Sequence, residues 1–154
     1  MREILFRAKR IDDEEWVEGF YSQLPKPSLG ATIITNGDLC AEDVSDYIIV
    51  NESKQHSNFS NAYPIEVVEC EYYEIDSETL CQYTGLKDKN GNRIWENDIV
   101  RIGANTLVRW SEKYAGWCLI QRDWIHEHFF GEAFEAKYCE VVGNIFDNPE
   151  LMEK

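Results

Sequence analysis

Gln82-Tyr83-Thr84-Gly85-Leu86-Lys87-Asp88-Lys89-Asn90-Gly91-Asn92-Arg93-Ile94-Trp95-Glu96-Asn97-Asp98-Ile99-Val100 carries the clearest structural signal in the chain. Two short runs with strand character flank Asn90-Gly91, a pair that tolerates positive φ and therefore marks a hairpin tip. Asp98 stands directly before Ile99-Val100, where a carboxylate can accept local backbone N–H groups. That placement suits the turn before the first strand of a small SH3-like barrel. Downstream, Thr106 to Trp110 and Gly116 to Gln121 read as a hairpin around Ser111 to Ala115, and Cys139 to Ile145 as a further strand.

Upstream the same pattern continues. Residues Glu3 to Lys9 alternate, the acidic cluster Asp12-Asp13-Glu14-Glu15 interrupts, and Trp16 to Tyr21 resumes, as in a β-hairpin. Pro25 and Pro27 end its second strand. Ala31 to Thr35, Tyr47 to Val50 and Glu66 to Ile75 are further strand candidates, and Asn36-Gly37 is a turn signal. The polar stretch from Asn51 to Asn61 lacks periodicity and reads as a mobile loop, with no role for His56. Ser77 is positioned to cap a short helical turn. Arg122 to Tyr138 fits neither strand nor helix, and Pro149 is expected to stop the last strand ahead of a fraying tail.

Composition agrees with a β fold. In 154 residues, five Trp, eight Tyr and seven Phe favour pleated, half-buried surfaces. The chain is long enough for one sizeable core. The expected architecture is mainly β with little helix: a single domain over 1–154, divisible into an N-terminal hairpin-containing region, 1–75, with a mobile loop at 51–62, and an SH3-like or partly open β-barrel over 76–150.

Fifteen Lys and Arg against 29 Asp and Glu give a formal net charge of -14. Nucleic-acid affinity rests on cations that neutralise phosphates, so direct nucleic-acid binding is not expected. Mimicry of nucleic-acid charge is the less favoured use of such acidity, because most acidic small proteins are simply soluble. Five cysteines, Cys40, Cys70, Cys81, Cys118 and Cys139, are odd in number and contain no CxxC pair. With no apolar leader after Met1 and no stretch able to span a bilayer, the expectation is a cytoplasmic protein with free thiols and no membrane partner.

The family likeness lies in three blocks. They are Met1-Arg2-Glu3-Ile4-x-Phe6-Arg7-Ala8 with Trp16 and Gly19, then Gln82 to Leu86 with Asp88, Gly91 and Asp98-Ile99-Val100, and finally Glu140-Val141-Val142-Gly143-Asn144-Ile145-x-x-Asn148-Pro149-Glu150-Leu151. Together they resemble the YopX family of phage and prophage proteins. The resemblance implies a β-rich fold and an intracellular setting in a bacterial host, and brings no catalytic residues with it.

No GxSxG, GxxxxGK or HExxH pattern is present, so no catalytic, cofactor-binding or metal-binding residue is assigned. His126-Glu127-His128 has two histidines at alternate positions but no further ligand at a recognisable spacing; surface histidines explain it better. Asp98 with Glu96, near Tyr83 and Asp88 in sequence, mimics a carboxylate pair, yet a turn-capping Asp98 and a hairpin-tip Asp88 account for the same residues. Tyr83, Trp95, Trp110 and Trp117 are candidates for a binding surface, against the simpler role of core filling. The expected function is non-catalytic binding to a phage or host protein, with homo-oligomerisation left open. The rivals are an enzyme or nucleic-acid-processing factor with an unrecognised site, and an acidic mimic.

Overall fold

The computed structural model describes residues 3–25, 44–55, 66–121, 128–130 and 135–153. The candidate strand Ala31 to Thr35, the Asn36-Gly37 turn, Cys40, His56, Trp124, His126, Glu127 and Phe134 lie outside them. The chain is mainly β, and its strands form two compact units, Leu5–Leu80 and Cys81–Lys154 together with Met1–Ile4.

In the first unit, β1 (Phe6–Lys9), β2 (Trp16–Pro25), β3 (Val44–Gln55) and β4 (Glu66–Glu74) follow one another as an antiparallel meander. The acidic turn reverses the chain between β1 and β2. Glu14 takes a positive φ of 59° there, and the Asp13 carboxylate accepts the Glu15 N–H at 3.0 Å. Alternation places Ala8, Ile48 and Ile75 in a core with Phe6, Val17, Tyr21, Val50 and Leu80 packed against them. Gly19 in β2 is required by close approach: a Cβ there would run into the carbonyl oxygen of Ile49 and Cγ2 of Ile48.

Two expectations for this unit need correcting. The loop predicted from Asn51 begins too early, because β3 continues to Gln55, with Asn51 paired to Cys70 and Gln55 to Glu66. An antiparallel partner supplies the backbone hydrogen bonds regardless of side-chain polarity, so a polar stretch can still be strand. The cap of the 3-10 turn Ser77–Thr79 is Asp76, whose carboxylate accepts the Glu78 N–H at 3.0 Å; Ser77 is the first residue inside the turn.

The second unit contains the hairpin β5 (Cys81–Lys87) and β6 (Arg93–Trp95), and a five-stranded antiparallel sheet. The sheet is built from β7 (Asp98–Ile102), β8 (Ala104–Ser111), β9 (Gly116–Ile120), β10 (His128–Phe129) and β11 (Glu140–Asn144), in the order β10-β9-β8-β7-β11. Ile94, Val100, Val108, Trp117, Leu119, Phe130, Ala136 and Cys139 form its core. Among the described residues the edge strands β10 and β11 do not pair, so the sheet is not the closed barrel that a strict SH3-like reading requires. The tail is not frayed at Leu151. Pro149 opens a 3-10 turn, Pro149–Met152, where its missing N–H costs nothing, and Asn105 Nδ2 donates to the Leu151 carbonyl at 2.8 Å. In the stretch left unassigned, the described parts are β10 and a 3-10 turn at Ala136–Tyr138.

Candidate functional site

The polar residues most easily mistaken for chemistry are committed to turns. Asp88 is buried, and its two carboxylate oxygens accept the backbone N–H of Asn90 at 2.8 Å, Asn92 at 2.9 Å and Val141 at 3.1 Å, plus Asn92 Nδ2 at 3.2 Å. Burial opposes ionisation, but those four donors outweigh it and hold the Asp88 carboxyl below its ordinary value. Gly91, at φ 86°, completes the tip. Asp98 is likewise buried and accepts the Trp95 N–H at 2.8 Å. Asp88 and Asp98 thus work as turn acceptors at separate turns.

Cys139 is buried beside this network, with Sγ 3.0 Å from the Ala136 carbonyl oxygen. Burial, reinforced by the Asp88 charge, pushes its thiol up to about 11, so it stays protonated and unreactive near neutral pH. Cys70 is exposed and Cys81, Cys118 and Cys139 are buried, and none of the four is part of a disulfide. His128 is exposed on β10 opposite Leu119. Among the described residues no cluster of three or more His, Cys, Asp or Glu is placed to hold a metal ion, and no helix is long and apolar enough to cross a membrane.

The four aromatic candidates resolve into two cross-strand pairs. Tyr83 and Trp95 face each other across β5 and β6 with ring centroids 5.4 Å apart, and both are buried. Trp110 and Trp117 pair across β8 and β9 in a T-shaped contact at 5.2 Å. Trp117 belongs to the core, and its indole Nε1 is buried without a hydrogen-bond partner. Trp110 is 44% exposed. Core filling therefore holds for Trp95, which is enclosed, while Trp110, near the end of β8, keeps much of its surface exposed. Tyr114 and Phe129, also exposed, meet with tilted rings, centroids 5.0 Å apart, near the same hairpin turn.

A concave feature lies in the first unit, where the turn after β1 meets the end of β4. Arg10, Ile11, Asp12, Tyr72, Tyr73 and Glu74 line a groove of about 380 Å³. Sequence reading passed over it, because its two walls are about sixty residues apart. The available hint was the acidic interruption after β1 together with the alternating tyrosine-rich β4.

These features define a helix-poor, mainly β protein with saturated Asx turns and aromatic side chains displayed from strands. The chain belongs to the YopX family: the family model described as YopX protein matches residues 5–153. It is similar to the crystal structure of protein EF1440 from Enterococcus faecalis, with a TM-score of 0.50 and 18% identity over 99% of each chain, a likeness of fold alone. No curated protein matches. The residues behind the family likeness hold the fold. Gly19 permits the β2–β3 approach, Asp88, Gly91 and Asp98 build turns, and a Cβ at Gly143 would collide with the Asn148 side chain. Asn144 closes the last turn by accepting the N–H groups of Phe146 and Asp147, each at 2.9 Å.

Proposed function

We propose that this chain is a phage or prophage accessory protein that acts as a non-catalytic binding module for a phage or host protein in the bacterial cytoplasm. The observation that carries the reading is the exposed face of Trp110, 44% accessible and backed edge-on by buried Trp117 across the β8–β9 hairpin. Tryptophan supplies large contact area at little entropic cost and is the residue type most enriched at the energetic centres of protein interfaces. Tyr83 and Trp95 enter this reading as packed support. Four described cysteines outside any disulfide suit a reducing compartment, and the net charge of -14 favours protein over nucleic acid as partner.

The test is affinity capture from prophage-carrying cells with the wild-type chain and with Trp110→Ala, alongside thermal unfolding of both. Because Trp110 is only partly buried, its removal is expected to cost about 1–2 kcal/mol, well short of a full core truncation, and to abolish retention of the captured protein. Equal capture by the folded variant would sink the reading. A stability loss of about 4 kcal/mol or more would return Trp110 to the core.

A further inference from the structure

The charge of the chain is unevenly placed. Leu5–Leu80 contains 16 Asp and Glu against 5 Lys and Arg, whereas the remaining residues contain 13 against 10. The groove between the β1–β2 turn and the end of β4 lies in the acidic unit, and its rim is apolar: Ile11 is 59% exposed and Tyr72 55%. One cation already sits there. The Arg10 guanidinium lies over the Tyr73 ring at 4.4 Å and bridges Asp12 at 2.5 Å and Asp13 at 3.0 Å. The hydrogen bond to Asp12 raises the Arg10 pKa still further, so this cation is matched by two carboxylates of its own turn.

Tyr72 and Glu74 stand at the same groove. Among the described residues Tyr72 makes no ring or cation contact, and Glu74 no ion pair. We infer that the groove docks a lysine or arginine side chain carried on a basic segment of another protein, its head over the Tyr72 ring beside Glu74 and its aliphatic stem along Ile11. An aromatic face next to a carboxylate attracts a cation through both quadrupole and charge, and the stem covers apolar surface that would otherwise stay wet. A second copy of the chain is the poorer occupant, since two such grooves would bring like charges together. The inference is independent of the Trp110 face, which lies in the other unit.

The experiment is an NMR titration of the full 15N-labelled chain with a short peptide of alternating arginine and alanine, and with its glutamate counterpart. The arginine peptide is expected to shift the amides of Ile11, Tyr72, Tyr73 and Glu74 and to bind more weakly as salt rises, while the glutamate peptide does nothing. Tyr72→Leu, which keeps an apolar side chain but removes the ring, and Glu74→Gln are each expected to weaken binding by about threefold to tenfold, the range of one exposed cation–π contact or one charge pair. Absence of binding, shifts spread over all acidic segments with Tyr72→Leu unchanged, or groove shifts that depend on protein concentration without peptide would each overturn the inference.

Discussion

The two units solve the same problem, a β fold with almost no helix, by different means. In Cys81–Lys154 the core is large, with Ile94, Val100, Val108, Leu119 and Cys139 fully buried, and its turns are closed by side-chain acceptors: Asp88, Asp98 and Asn144. Among the described residues of Leu5–Leu80, Ala8, Ile48 and Ile75 form a buried cluster, while Phe20, Tyr72 and Ile11 are exposed. That unit relies more on long strand pairing and on a backbone approach that only glycine permits. Both units leave large apolar side chains uncovered and available for contact, Ile11, Phe20 and Tyr72 in the first and Trp110, Phe129 and Tyr138 in the second.

The contrast is tested most strongly at Trp95, which is 98% buried in the second unit. Trp95→Ala is expected to cost about 3–5 kcal/mol in denaturant unfolding. A loss below about 1 kcal/mol would show that this unit is not held by its core.

Asp88 tests the turns. Asp88→Ala strands several amide donors and should cost about 1–3 kcal/mol. Its carboxyl is held below the ordinary value, so its contribution to stability is complete above about pH 4 and is lost as pH falls through the depressed folded value. Acid unfolding of the wild type should accordingly begin below about pH 4 in the β5–β6 and β11 amides. The Asp88→Ala chain should be less stable near neutrality but flatter in that acid range. An unchanged acid profile would remove Asp88 from its role.

Gly19 tests the first unit. Gly19→Ala forces β2 away from Ile49 and is expected to cost about 1–3 kcal/mol, as overpacking does. Hydrogen exchange should then accelerate in β2 and β3, with β8 and β9 the reference for an unaffected region. Unchanged protection in β2 and β3 would mean that the close approach is easily relieved.

Much of this architecture was legible because turn chemistry is local. Asn90-Gly91 and Asp98 sit where a hairpin tip and a turn acceptor were expected, and β1, β2, β8, β9 and β11 follow from alternation between such breaks. The errors arose where a distant partner decided the outcome. β3 extends through a polar stretch because β4 pairs with it. Pro149 and Leu151 form an ordered turn because Asn105 of β8 reaches the Leu151 carbonyl. Asp76 took the cap from Ser77 by one position, within the usual uncertainty of helix ends.

The sequence by itself determined the β class, the principal turns, the acidic charge and the family likeness, all of which depend on composition or on residues a few positions apart. Only tertiary structure decided which aromatics are covered. Trp95 and Trp110 occupy equally good strand positions, and one is enclosed while the other overhangs the end of β8. The same holds for the groove of Ile11, Asp12, Tyr72 and Glu74, whose walls come from opposite ends of the first unit. Alternation specifies which side chains share a face, but burial of that face depends on what the folded chain brings over it.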